Sequence, residues 1–406
     1  MVAGVIPTPT PLPVAGVRVG VAKAGIKHND RDDLVVFELA PASTCAAVFT
    51  RNAFCAAPVV VARRHLAQAT PRYLLINSGN ANAGTGERGL SDALATCGII
   101  AAETGCAVQT VLPFSTGVIG QPLPVEKFRQ AVPQALATLS ADDWVSAARA
   151  IMTTDSVPKL MSKQVNLAGH TATITGIAKG AGMIRPDMAT MLAFVATDAA
   201  VEQTGLRGLI ETAVNRSFNR ITVDGDTSTN DACVLVATAQ SQALRINSAS
   251  SREGQVFQEG LNEVCEFLAE AVVRDGEGAS KFIRIVVGGG RTEQECLTVA
   301  YAIAQSPLVK TAFFASDANW GRILAAVGRA GVHDLNIAVV TLDLNGVRIV
   351  ENGGRAVSYT EEAGQAAMRP TDITAHVQLG LGDAEATVMT CDFSFDYVRI
   401  NAEYRT

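Results

Sequence analysis

Lys179-Gly180-Ala181-Gly182-Met183-Ile184-Arg185-Pro186-Asp187-Met188-Ala189-Thr190-Met191-Leu192 leads the chain into one of its most apolar runs. Two glycines and a proline precede a threonine that opens a strand, so the backbone turns tightly and then enters the core. The stretch is neither a P-loop, since G-x-x-x-x-G-K-[ST] is absent, nor a dinucleotide fingerprint. Two readings stand for it. One is a plain connection between strands. The other is self-cleavage between Ala189 and Thr190. A threonine hydroxyl is a weak nucleophile, and its own α-amine can act as base only when the threonine is an N-terminus. An internal threonine frees itself by attacking the preceding carbonyl, an N-to-O acyl shift followed by ester hydrolysis, and a small residue such as Ala189 leaves that carbonyl open. The released α-amine, with a reference pKa of about 8, is suited to general-base work near neutrality.

Around this stretch the pattern predicts strands at Gln164–Val165, Thr171–Ile177, Met191–Ala196 and Ala232–Ala239, with amphipathic helices at Gly205–Phe218 and Gly254–Val273. Upstream, β-branched runs punctuated by Gly, Pro and Asn predict strands at Leu34–Leu39, Ala46–Thr50, Val59–Val61, Tyr73–Ile76 and Val108–Phe114. Helical spacing marks Gly89–Gly105, Val125–Leu139 and Ala141–Ile151. That is too many strands for one sheet, and two stacked sheets covered by helices accommodate them: a layered α-β-β-α main body of the α/β class.

After Gly288–Gly290 the pattern becomes smaller in scale. Helices are read at Thr292–Ala304, Asn319–Gly328 and Thr360–Met368, and strands at Ile337–Leu342, Val347–Val350, Ile373–Leu379 and Ala386–Phe393. Asn345-Gly346 is a hairpin signal, because both central positions of that turn need φ > 0. A boundary near residue 285 is expected, with about 286–406 forming a small α/β C-terminal domain. The tail, Tyr397–Tyr404, alternates apolar with polar or small residues and reads as a strand.

The 406 residues are 48% hydrophobic and 18% charged, enough apolar material for a large core. The net charge of -6 and the lack of a basic stripe argue against a nucleic-acid partner. No apolar run approaches the roughly 20 residues needed to span a bilayer. Met1–Pro13, with its PTPTPLP, suits an extended arm rather than a secretory leader, so a cytoplasmic protein is expected. Eight separated cysteines without a C-x-x-C pair read as buried free thiols, and the five histidines show no ligand spacing, so no metal is expected.

Other segments carry polar chemistry. Ser115-Thr116-Gly117-Val118-Ile119 follows a strand, and a Thr-Gly pair can aim a hydroxyl and a backbone N–H at one point, as an oxyanion requires. Asn77-Ser78-Gly79-Asn80-Ala81-Asn82-Ala83-Gly84 is a polar, glycine-rich loop. The run from Asp224 to Asp231 opens like a calcium loop, but Thr229 stands at loop position six and Leu235 at the closing glutamate, so a hydrogen-bonded turn fits better. In Arg274–Lys281, Glu277 is suited to meeting an amine.

Read in order, these segments resemble the glutamate N-acetyltransferase, or ornithine acetyltransferase, family of arginine biosynthesis. The resemblance runs through Arg51-Asn52 with Ala56-Ala57-Pro58, Asn77–Asn82, Ser115–Ile119, Thr153-Thr154-Asp155, Lys179–Leu192, Thr222–Asn230 and Asp275–Gly278, and so spans nearly the whole chain. It implies that Thr190 is both the cleavage residue and the nucleophile, that Thr116 and Gly117 form the oxyanion hole, and that Thr153, Lys179, Thr190, Glu277, Asn401 and Thr406 bind substrate. Ala181 and Asp187 depart from the Ser and Asn expected in many relatives; both lie upstream of the cut.

The implied reaction moves acetyl from N-acetylornithine to glutamate through an acetyl-Thr190 ester, with acetyl-CoA as a further possible donor and no bound cofactor. The implied products of cleavage are chains 1–189 and 190–406, the second completing the main body over about 190–285, and the assembly is α2β2. Two rivals remain: an autoprocessed N-terminal-nucleophile aminopeptidase or amidohydrolase, which passes the acyl group to water, and a non-catalytic amino-acid-binding regulator.

Overall fold

The structure is a computed structural model and describes residues 3–4, 9–185, 191–243 and 245–404. In chain order the first half runs β1 (Val17–Ala22), β2 (Leu34–Leu39), β3 (Thr44–Phe49), α1 (Ala57–Gln68), β4 (Tyr73–Asn77), α2 (Gly86–Thr104), β5 (Val111–Ser115), α3 (Val125–Ala137), α4 (Trp144–Ala150), β6 (Lys159–Leu167) and β7 (His170–Lys179). There follow β8 (Leu192–Thr197), α5 (Gln203–Arg216), β9 (Ala232–Ala237), α6 (Arg252–Arg274) and β10 (Phe282–Gly290). The last part holds α7 (Glu293–Ala304), α8 (Pro307–Phe314), α9 (Trp320–Gly328), β11 (Thr341–Leu344), β12 (Val347–Glu351), β13 (Gly354–Arg355), α10 (Glu361–Met368), β14 (Asp372–Gln378), β15 (Ala384–Cys391) and α11 (Phe395–Glu403).

Among the described residues these strands form three sheets, ordered β1-β2-β4-β5, β3-β9-β8-β7-β6 and β13-β12-β11-β14-β10-β15. The first two stack face to face. Val35, Phe37, Leu74 and Phe114 from one meet Ile177, Phe194 and Val234 from the other in a single buried cluster. Phe194 is its centre, with ring centroids 5.8 Å from Phe37 and 5.1 Å from Phe114. The outer face of the first sheet is covered by residues of α1, α2 and α3, such as Val61, Ile100 and Phe128. The outer face of the second is covered by α5 and α6, through Leu209, Phe257 and Leu268. The expected α-β-β-α layering is therefore present. It explains why every residue of β8 and β9 is buried: these strands have neighbours on both sides and packed layers on both faces.

The third sheet has its own core with α7, α9 and α10, built from residues such as Ile285, Val299, Val327 and Met368. Thr292 caps α7 by accepting the Glu295 N–H. Asn345 and Gly346 join β11 to β12 with φ of 45° and 80°, both positive as a two-residue hairpin requires. No helix among the described residues is long and apolar enough to cross a membrane.

Four local expectations fail. Val59–Val61 lies in α1, because Pro58 occupies the first helical turn and Val59, Ala62 and His65 make one buried stripe, outweighing the β preference of three valines. Val108–Thr110 and Ile337–Val339 are short 3-10 turns, and the strands expected there begin only at Val111 and Thr341. Tyr397–Glu403 is helical: Ser394 caps α11 by accepting the Asp396 N–H, and the segment pairs with no sheet among the described residues. The alternation there came from small and polar residues that a helix exposes equally well. Sequence reading also missed β1, α8, β10 and β13, and the boundary expected near residue 285 falls inside β10, which pairs with β14 and β15 in the third sheet.

Replacing Phe194 with alanine opens a cavity between the two stacked sheets and is expected to cost about 3–5 kcal/mol in urea denaturation. A loss under 1 kcal/mol would show that the sheets do not pack through this ring.

Candidate active site

Parallel strands β4 and β5 end side by side, and the loops that leave them are fixed by side chains. Ser115 Oγ donates to Asn77 Oδ1 at 2.6 Å, and Asn77 Nδ2 donates to the Asn80 carbonyl at 2.9 Å. Thr116 N–H bonds the Asn77 carbonyl at 3.0 Å. Gly117 then turns with φ of +132°, where a Cβ would stand 2.3 Å from the Gly79 carbonyl carbon. Only glycine fits this crossing of two loops.

From the second sheet, β7 ends at Lys179. Its Nζ donates to Thr116 Oγ1 at 3.0 Å, so the two sheets meet again through a polar contact. An ammonium group has no lone pair, so Thr116 oxygen is the acceptor and its own hydroxyl hydrogen remains to donate elsewhere. Beyond the end of α6, Glu277 N–H bonds the Ala181 carbonyl at 2.8 Å, and Asn401 of α11 donates to Glu277 Oε2 at 2.7 Å. A Cβ on Gly182 would lie 2.4 Å from the Glu277 carboxyl, so this glycine makes room for the acid.

These groups line one cavity of about 280 Å3, together with Thr153, Thr154, Met183, Ser228, Thr229, Asn230 and Tyr404. Burial pushes the Glu277 carboxyl upward, against hydrogen bonds from Thr154 and Asn401 that lower it. Burial holds the Lys179 ammonium below its ordinary value, an effect that the Asp155 carboxylate opposes. The Asp231 carboxyl, buried nearby, is pushed well up by burial, against a hydrogen bond from Ser228 and the Lys179 charge. The cavity thus offers a carboxylate at one place, an ammonium at another, and hydroxyl and amide groups between them: complementary to a small amino acid with both charges. Among the described residues, no group of three or more His, Cys, Asp or Glu is placed to hold a metal ion.

Under the cavity lies a fully buried ion cluster. Lys159 Nζ bonds Asp155 Oδ1 at 2.7 Å and Asp275 Oδ2 at 2.6 Å. Asp155 also accepts Gly180 N–H at 2.7 Å and Thr153 N–H at 3.0 Å. Asp275 accepts Ser156 N–H at 3.0 Å and the Ser156 hydroxyl. Burial alone would raise the Asp155 acid, but the charges of Lys159 and Lys179 outweigh it and hold the carboxyl well below the usual range. One ammonium therefore joins the segments that carry Thr153, Lys179 and Glu277.

Thr116, Gly117, Thr153, Lys179, Glu277 and Asn401 are thus brought together. Ala189, Thr190, Thr406 and Asp187 lie outside the described residues. The Asp224 region is a hydrogen-bonded turn whose carboxylate accepts Met183 N–H at 2.6 Å and Ile184 N–H at 2.9 Å. Sequence reading gave no role to Lys159, Asp231 or Tyr404. Lys159 sits at the head of a β-strand, where a charged residue ordinarily signals an exposed end, and only its spacing of four from Asp155 hinted at a pair.

The ArgJ family model matches residues 18–406. An arginine biosynthesis bifunctional protein ArgJ of Methylococcus capsulatus is 60% identical over 97% of this chain and 96% of its own length. The protein of that name from Pseudomonas syringae is 54% identical over the whole of both chains. A crystal structure of the Bacillus halodurans protein of that name is 37% identical, covers 52% of this chain and 97% of its own, and gives a TM-score of 0.49.

Lys159→Met removes the shared cation and leaves two carboxylates buried, which is expected to cost about 3–5 kcal/mol at neutral pH in urea denaturation. A loss under 1 kcal/mol would mean that the cluster does not hold these segments together.

Proposed function

The chain belongs to the ArgJ family and is an acetyltransferase of arginine biosynthesis, and from that premise we propose how its residues perform the reaction. It is a glutamate N-acetyltransferase that moves acetyl from N-acetylornithine to glutamate, with acetyl-CoA as a second donor. The chain cuts itself between Ala189 and Thr190, and the freed Thr190 is the nucleophile. Its α-amine takes the Oγ proton as Oγ attacks the acetyl carbonyl. The C–N bond of N-acetylornithine then breaks, the proton passes to the departing amine, and acetyl remains as an ester on Thr190. Glutamate enters the same pocket, and its amine attacks the ester while Thr190 Oγ regains a proton. With acetyl-CoA the bond broken is C–S, and the proton leaves with the thiol.

In this reading Thr116 and Gly117 stabilise the oxyanion. The Lys179 contact supports that role, because a cation on Thr116 oxygen strengthens the donation of its hydroxyl hydrogen. Thr153, Lys179, Glu277, Asn401 and Thr406 bind the substrate, with Glu277 meeting an ammonium. The observation that carries the proposal is the shared cavity, which sets Glu277 and Lys179 around the Thr116-Gly117 turn. Glu277 and Lys179 together suit an amino-acid acceptor, which carries both an ammonium and a carboxylate, whereas water as acceptor needs neither group.

Cleavage at this position is compatible with one folded body. In the five-stranded sheet, β3, β6 and β7 precede the cut, whereas β8 and β9 follow it; β8 lies between β7 and β9, and β9 pairs with β3. The two pieces remain interleaved, the first being 1–189 and the second 190–406. We read the assembly as α2β2 and the compartment as the cytosol, with no bound cofactor.

One pocket serving two half-reactions predicts parallel reciprocal plots of rate against glutamate at several N-acetylornithine concentrations. Intersecting lines would indicate a ternary complex and contradict the ester. Glu277 must be ionised to hold an ammonium, and its acid is raised, so kcat/KM should fall with decreasing pH sooner than for an ordinary glutamate. Glu277→Gln should remove that acid limb and raise KM about 10- to 100-fold, the scale of one charged hydrogen bond. An unchanged limb would assign it to another group.

A further inference from the structure

A second cavity, of about 740 Å3, lies where the main body meets the helices of the third sheet. Its lining includes Arg51, Arg185, Arg220 and Arg329, and Glu293 is the one acidic residue of that lining among the described residues. That is a concentrated positive field on a chain whose net charge is -6. Glu293 is engaged with Arg220 at 2.7 Å. Arg329 donates from Nη2 to the Ala302 carbonyl at 2.9 Å, and Arg185 lies over the Tyr301 ring at 5.6 Å. Two side-chain donors on residues of this cavity, Arg185 Nε and Gln305 Nε2, are buried without an acceptor among the described residues. Such donors are rare in a folded protein, and their unanswered partial charges add to the positive potential that an anion in the cavity would meet.

The cavity backs onto the candidate active site. Thr227 hydroxyl donates to the Arg185 carbonyl at 3.3 Å, and Asn52, next to Arg51, donates to the Thr227 carbonyl at 2.9 Å. The same two loops continue into the other cavity through Met183 on one and Ser228, Thr229 and Asn230 on the other. Arg51-Asn52, singled out in the sequence, thus has one residue on the arginine-lined wall and one on the loop between the two cavities.

We propose that this arginine-lined cavity binds the phosphorylated nucleotide end of acetyl-CoA. The assignment rests on the two-donor reading above. Of the substrates in that reading, only acetyl-CoA carries phosphates, and its long arm separates them from the thioester. Arginine forks suit a diphosphate and a 3′-phosphate, which they can bind bidentately. N-acetylornithine, which lacks phosphate, makes no use of this cavity.

The test uses the full, processed enzyme and measures N-acetylglutamate from each donor, with 3′,5′-ADP as the probe of the cavity. Arg220→Ala and Arg329→Ala should each raise KM for acetyl-CoA about tenfold or more, the scale of a lost charged hydrogen bond. Both should leave transfer from N-acetylornithine within about twofold, which also shows that the variants are folded. In the unaltered enzyme, 3′,5′-ADP should compete with acetyl-CoA and not with N-acetylornithine. An enzyme that transfers acetyl from N-acetylornithine but makes nothing from acetyl-CoA would overturn the two-donor reading, and this site with it. Acetyl-CoA turnover with unchanged KM in both variants would overturn the site alone, as would 3′,5′-ADP inhibiting both donors equally.

Discussion

Lys159 Nζ is shared by two buried carboxylates, Asp155 at 2.7 Å and Asp275 at 2.6 Å, and the candidate site depends on that arrangement. Asp155 fixes the backbone at Thr153 and Gly180, and Asp275 fixes Ser156 and stands two residues before Glu277. Without the ammonium, two negative charges would face each other where water cannot screen them. With it, a loop, the end of β7 and the end of α6 are drawn to one point. Lys179 therefore reaches Thr116 from the far sheet, and Glu277 faces the same cavity.

The stacked sheets supply the second constraint. Phe37, Phe114 and Phe194 hold the two sheets in one register, and the loops at the ends of β5 and β7 then meet without further adjustment. Gly117 and Gly182 do opposite jobs at that meeting. Gly117 lets two backbones cross, whereas Gly182 leaves space for the Glu277 carboxyl. A methyl group at either position would collide with the geometry that the ion cluster and the sheets impose. The interleaving of β8 between β7 and β9 has a related consequence: a cut before Thr190 severs the chain while leaving its strand pairing on both sides.

The layered architecture was legible because it rests on periodicity: β2, β4, β7, β8, β9 and the helices α2, α5, α6 and α7 follow their apolar patterns closely. Failures came where local preference and tertiary context disagree. Three valines at 59–61 favour a strand in isolation, yet Pro58 and a buried stripe make them helical. The tail alternates like a strand but pairs with no sheet among the described residues. Instead it forms α11, whose Asn401 bonds Glu277, while Lys27 bonds the Tyr404 carbonyl at 3.1 Å. Polar loops such as Ser115–Gly117 and the Lys179–Arg185 run were visible as segments, but that they face one another follows only from the fold. Lys159 was legible only through its spacing from Asp155, since a buried ammonium is recognised by the carboxylates around it, and its second partner, Asp275, is more than a hundred positions away.

The claim on which the functional account stands is that a freed Thr190 carries the acetyl group between substrates. Intact-mass measurement of the purified enzyme, with N-acetylornithine present and glutamate withheld, tests it directly. The account predicts two chains, the second beginning at Thr190 and bearing one acetyl group that disappears when glutamate is added. An enzyme that turns over while its chain is uncut, or whose acetyl group resides anywhere other than Thr190, would contradict it.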